Sequence, residues 1–141
     1  MRIVVDTNVF ISAVLGPHGP SRLVVRTCLE DRLQPLMGAS LLAEYESVLA
    51  RTSLFERSPL EPEEREALLN AFLSSCRWVR IYYLWRPNLR DEADNHVIEL
   101  AVAGGAAAVV TQNLRDFADS QLRFPALRIL DPQDLIKEIT P

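Results

Sequence analysis

Apolar positions along the chain fall into two patterns that take turns. Short continuous runs, Ile3-Val4-Val5 and Ala106 to Val110, show no alternation, which is how strands covered on both faces read. Gln34 to Ala39, Trp78 to Leu84 and Leu127 to Leu130 are three further strand candidates. Between them the spacing becomes helical. Val9 to Leu15 predicts a short helix, stopped by the Gly16, Pro17, Gly19 and Pro20 cluster. Ser21 then reads as the cap of a helix to about Asp31, with Leu23, Val24 and Cys28 on one face. Ser40 reads as the cap of the next helix, with Glu44 about a turn inside.

The break Pro59 to Pro62 opens a helix whose face carries Leu68, Leu69, Phe72, Leu73 and Cys76. Glu63, Glu64 and Glu66 lie early in it, where the helix dipole favours acids. A loop with Pro87 leads to the acidic segment Asp91-Glu92-Ala93-Asp94-Asn95, which starts a helix through Val97, Ile98, Leu100 and Ala101. Gly104 and Gly105 end it. Asp116 and Phe117 fall on a turn or short helix, and Asp131 or Pro132 starts a closing helix to about Ile139. The order β-α-α-β-α-α-β-α-β-β-α predicts an α/β, Rossmann-like fold, with a mainly parallel sheet of about five strands flanked by helices. With no repeat, linker or low-complexity tract, residues 1–141 read as a single domain.

Composition narrows the chemistry. Net charge is −4, which argues against a nucleic-acid coat held by a basic surface but not against a nuclease whose acids hold cations. Cys28 and Cys76 are isolated and read as small core residues. His18 and His96 are the only histidines, so a zinc site or a histidine triad is poorly supplied. No run is apolar enough to span a membrane, and Met1-Arg2-Ile3 does not open a signal peptide, so a cytoplasmic location is expected. Carboxylates are the expected agents.

Two strands end alike, Ile3-Val4-Val5 on Asp6-Thr7-Asn8 and Val109-Val110-Thr111 on Gln112-Asn113, with Asp116 just beyond. The carboxyl ends of parallel strands form the rim where α/β proteins bind ligands. Asp94 opens a helix that feeds a strand, and Glu44 lies early in a helix that follows one, so topology brings Asp6, Glu44, Asp94 and Asp116 to that rim. Carboxylates sharing a cleft need a counter-charge, and Mg²⁺ or Mn²⁺ with oxygen ligands supplies it and suits phosphodiester hydrolysis. Taken singly, each acid has an ordinary alternative. Asp91 or Asp94 caps a helix, Glu44 is solvated or pairs with Arg51, and Asp116 is a turn residue. An aspartyl phosphotransferase would carry a second aspartate where Asn8 stands, and neither a dinucleotide-binding glycine turn nor a P-loop is present.

Asp6-Thr7-Asn8-Val9, Leu41-Leu42-Ala43-Glu44, Arg90-Asp91-Glu92-Ala93-Asp94-Asn95 and Val110-Thr111-Gln112-Asn113-Leu114-Arg115-Asp116-Phe117 occur in an order and spacing that resemble PIN domains, over nearly the whole chain. More narrowly, the set is similar to VapC-type toxins of bacterial toxin–antitoxin systems. The resemblance implies a PIN-like fold and an Mg²⁺- or Mn²⁺-dependent ribonuclease. By position, Asp6, Glu44, Asp94 and Asp116 would be its catalytic and metal-holding acids. Thr7, Asn8, Asp91, Asn95, Thr111 and Asn113 would support them. Asn113 stands where some relatives carry Asp, which leaves open whether it or Asp116 completes the metal shell, and whether one ion or two bind. Gln112 and Ala93 also depart from residues common in the family. Arg51, Arg86, Arg90 and Arg115 are candidate contacts to the RNA backbone, and Trp85 is a candidate stacking residue or a packing one. The resemblance also implies a small antitoxin partner and a homodimer. The alternative is a non-catalytic module that holds RNA or a protein.

Overall fold

A computed structural model of the chain describes residues 1–81, 95–118 and 124–140. Strand β1 (Arg2–Val5) lies at the centre of a five-stranded sheet with β2 (Gln34–Met37) on one side and β4 (Ala108–Val110) on the other. β3 (Arg77–Trp78) and β5 (Arg128–Leu130) complete the order β3-β2-β1-β4-β5, and every pairing is parallel. Ile3, Val4 and Val5 pair with Ala108, Val109 and Val110, and all six are buried. The unbroken apolar runs in the sequence are the two strands that sit deepest in the sheet.

Around the sheet lie α1 (Thr7–Leu15), α2 (Pro20–Leu29), α3 (Ala39–Leu49), α4 (Pro62–Ser75), α5 (Asn95–Gly104) and α6 (Pro132–Ile139). Short 3-10 turns cover Thr52–Phe55 and Leu114–Phe117. The element order is the expected one; several ends differ. β2 stops at Met37, and α1 begins at Thr7 because Asp6 caps it. Residues 82–84 of the third predicted strand lie outside the described residues.

Neither predicted serine cap is one. Pro20, with its fixed φ, starts α2 one residue before Ser21, so Gly19 is the cap, and the buried Ser21 hydroxyl instead meets the Gln112 side chain at 3.3 Å. α3 is capped by Gly38 rather than Ser40, with no side chain closing its first turn. A Cβ on Gly38 would sit 3.3 Å from Leu100 Cδ1 and 3.4 Å from the Val79 carbonyl oxygen, so α5 and the end of β3 press against this turn. Asp131 does cap α6, accepting from the Asp134 amide at 2.7 Å. At the end of α5, Gly105 takes φ +66°, and a Cβ on Gly104 would lie 2.5 Å from Leu36 Cδ1.

Phe10, Tyr45 and Phe72 bring α1, α3 and α4 together, with ring centroids 5.3 to 6.1 Å apart. Phe55 is buried too. Cys28 is buried and Cys76 partly so, and burial pushes both thiols up to about 12, which leaves them inert. Tyr45 carries one further bond. Its hydroxyl donates to the Val5 carbonyl at 2.6 Å, inside the core, and so pins α3 over the carboxyl end of β1. Tyr45→Phe strands that carbonyl and is expected to cost about 1–3 kcal/mol. Phe72→Ala leaves a cavity and is expected to cost about 3–5 kcal/mol. Urea unfolding followed by circular dichroism measures both, and a smaller loss for Phe72→Ala than for Tyr45→Phe would contradict this account of the core.

Candidate active site

The order β3-β2-β1-β4-β5 reverses direction between β1 and β4, because the chain builds outward from β1 to β3 and then returns to the other side for β4 and β5. Helices leaving adjacent strands at such a point diverge and open a crevice at their carboxyl ends. Asp6 follows the last residue of β1 and Thr111 the last residue of β4, and the Asp6 amide donates to the Val110 carbonyl at 2.9 Å.

Asp6 is only 5 % exposed. Its Oδ1 accepts from the Thr7 amide at 2.9 Å, and its Oδ2 accepts from the Thr111 hydroxyl at 2.8 Å and the Asn8 side-chain amide at 3.3 Å. The Thr111 hydroxyl in turn accepts from the Asn113 backbone amide at 3.0 Å. Asn8 also receives the Gln112 amide at 3.2 Å, and Gln112 donates to Ser12 at 2.8 Å. The two strand ends are thereby stitched into one polar patch with Asp6 at its centre. Burial raises the Asp6 carboxyl above its ordinary range, the Thr111 bond lowers it, and the charge of Glu44 raises it again.

Glu44 is the second acid of the site. Its Oε2 lies 3.2 Å from His96 Nε2, in the second residue of α5. That contact, against partial burial, holds the Glu44 carboxyl below its usual value, with a smaller push the same way from the Thr7 hydroxyl. Glu44 therefore has a partner, and it is His96 rather than Arg51. Two histidines are too few for a zinc site or a triad, yet His96 reaches the site through this contact, which the residue count does not foretell. The available signal was position, since His96 opens α5 two residues after Asp94.

The remaining candidates are distributed differently. Asp116 is half-buried on the 3-10 turn after β4, and its amide donates to the Asn113 carbonyl at 3.1 Å. Among the described residues, Glu44 and His96 are the charges that act on Asp6. Asn113 serves the site through its backbone. Arg115 is exposed on the same turn as Asp116, whereas exposed Arg51 lies beyond the end of α3. Asp91, Asp94, Arg86, Arg90, Trp85 and the Asn95 side chain lie outside the described residues.

Among the described residues no three acidic, histidine or cysteine side chains converge closely enough to form a metal cage. The donors nonetheless fit a hard divalent cation of the Mg²⁺ kind, which binds through one or two carboxylates and completes its shell with water and phosphate. Asp6 is oriented by three donors and is held above its ordinary range by burial and by a neighbouring acid, the penalty that a cation removes. An acid raised in the fold destabilises the ionised protein. This penalty grows as pH rises from the unfolded value of 3.8 through the folded one. Asp6→Asn, without added metal, is therefore expected to change the melting temperature more favourably at pH 7 than at pH 3. Millimolar Mn²⁺ is expected to raise the melting temperature of the wild type and not that of the variant. Differential scanning fluorimetry reads both, and an equal Mn²⁺ shift in the two proteins would remove Asp6 from the cation site.

Comparison with known proteins bears on this site. No curated protein matches the chain. Among solved structures it is similar to VapBC2 from Rickettsia felis, a structure bound to a DNA fragment from their promoter, with TM-score 0.57 and 17 % identity over 93 % of this chain and 98 % of that one. At that identity the likeness speaks for the fold. The family model for the PIN domain matches residues 2–115, from β1 through β4 to the turn that carries Arg115, and so takes in Asp6, Glu44, His96 and Thr111. The chain belongs to the PIN domain family.

Proposed function

We propose that the chain is a divalent-metal-dependent endoribonuclease, VapC-like in kind, that hydrolyses phosphodiester bonds in RNA as the toxin of a toxin–antitoxin pair. The observation that carries this reading is the buried, triply hydrogen-bonded Asp6 beside Glu44 at the crevice between β1 and β4. A protein that only bound RNA would gain nothing from two interacting acids where a phosphate must approach.

Asp6 and Asp94 are the principal ligands of Mg²⁺ or Mn²⁺ in this scheme, with Asp116 or Asn113 at the edge of the shell. The ion, when bound, polarises the scissile phosphoryl oxygen and makes a bound water more acidic. Thr111, Asn8 and the Thr7 amide fix the orientation of Asp6, so the carboxylate does not reorganise as charge develops. His96 keeps Glu44 ionised and fixes its direction, which suits Glu44 to orienting the attacking water. Arg115, exposed at the rim, meets the RNA backbone. Among the described residues no helix is long and apolar enough to cross a membrane, in keeping with a cytoplasmic nuclease. The Rickettsia felis neighbour is a VapBC2 structure, which favours an antitoxin as the partner of this chain.

The test is cleavage of a labelled mixed-sequence RNA with Mg²⁺ or Mn²⁺, with EDTA, and by Asp6→Asn and Asp94→Asn. Cleavage is expected only with metal, and each variant is expected to lose at least about 100-fold in rate. His96→Ala is expected to lose less, about tenfold, through Glu44. RNA binding without cleavage by the wild type under every metal condition would favour the non-catalytic module instead.

A further inference from the structure

One turn away from the Glu44–His96 contact lies a second feature that the nuclease scheme does not use. Ser40 precedes Glu44 by four residues on α3, and Glu99 follows His96 by three on α5, so each pair shares a helix face. Between these faces and the end of β3 opens a cleft of about 370 Å³, lined by Ala39, Ser40, Trp78, Arg80, Ile81 and Glu99 among others. Glu99 is only 5 % exposed, and among the described residues no group donates to its buried Oε1. A carboxylate so placed is costly unless a donor arrives from outside the protein. Trp78 is 52 % exposed, unusually open for an indole, and Arg80 beside it is exposed as well. The first turn of α3, at the mouth of the cleft, has no side-chain cap on its amides, which is a favourable setting for an anion.

A planar face, a carboxylate lacking a donor, a cation and free helix amides together match a nucleotide rather than a metal or a lipid. Among the four bases of RNA, guanine alone presents two adjacent N–H donors, N1–H and the 2-amino group, on its Watson–Crick edge. Adenine and cytosine each set one amino group beside an acceptor, and uracil sets one N–H between two acceptors. A carboxylate therefore selects guanine. We propose that this cleft seats a guanine of the RNA substrate next to the cleavage site, with Glu99 accepting from its Watson–Crick edge, Trp78 stacking on its face and Arg80 meeting its phosphate. This assignment rests on the RNA-cleaving reading and adds a base preference to it. Glu99 and Trp78 are specificity residues here, one helical turn from the acids that perform the chemistry.

The test does not depend on cleavage. In a Trp85→Phe background Trp78 is the only indole, and its fluorescence is titrated with GMP, AMP, CMP and UMP in turn. GMP is expected to quench it saturably, at a concentration at least about tenfold below that of the other three. Glu99→Gln, which keeps the size of the side chain, is expected to abolish that preference while retaining the wild-type circular dichroism spectrum. Equal quenching by all four nucleotides, no saturable quenching, or an unchanged preference in Glu99→Gln would each overturn the proposal. Asp6→Asn is expected to bind GMP as the wild type does. GMP selectivity without RNA cleavage would therefore count against the nuclease reading alone, and cleavage without GMP selectivity against the guanine cleft alone.

Discussion

The site depends on one hydrogen-bonded junction. β1 and β4 run side by side until their last residues, and there the Asp6 amide takes the Val110 carbonyl while the Thr111 hydroxyl takes the Asp6 carboxylate. The first bond continues the sheet by one residue, and the second begins the site. A carboxylate this far out of water survives only if its oxygens are met by donors, and Thr7, Asn8 and Thr111 provide them. Replacing the Thr111 hydroxyl by a methyl group would fill the same space and leave Asp6 with less to hold it. Sheet and site thus share one set of bonds.

The second acid is held by different means. Glu44 belongs to α3, and α3 is placed by its neighbour Tyr45, whose ring packs with Phe10 and Phe72 and whose hydroxyl reaches the Val5 carbonyl. Aromatic packing in the core thereby sets where a polar group stands at the rim. His96 then draws Glu44 towards α5 and away from the ordinary fate of a helix glutamate. The two carboxyls respond oppositely to their surroundings, Asp6 raised mainly by burial and Glu44 lowered mainly by His96. Such divergence suits the different tasks proposed for the two groups.

α5 joins the two halves of the functional reading. Val97, Ile98, Leu100 and Ala101 are all buried, so the helix is enclosed over a wide arc. A charged residue within that run has little room to face water, and Glu99 is buried with it. His96 and Glu99 therefore project from one enclosed helix towards α3, the first to the acid pair and the second to the cleft beside Trp78.

Much of the architecture is local in origin and so was legible in the residues. Ile3-Val4-Val5 and Ala108-Val109-Val110 carry their burial in their composition, glycines end α5, Asp131 caps α6, and alternating elements imply parallel strands. The placement of Asp6 at a strand end follows from the same run. Helix starts were less legible at Ser21 and Ser40, because the caps fall two residues earlier, at Gly19 before Pro20 and at the crowded Gly38. The partners of the polar groups were not legible. Glu44 and His96 are 52 positions apart, as the numbering states, and Asp6 meets Thr111 across 105. No periodicity reports contacts over such distances, because they depend on which strands are neighbours and on how far each helix leans. Sequence by itself determined the elements, the parallel sheet and the acids available to the rim. Tertiary structure alone decided that Glu44 faces His96 and that Glu99 is enclosed with no donor to its Oε1 among the described residues, since burial and pairing belong to the packed chain and not to any one segment.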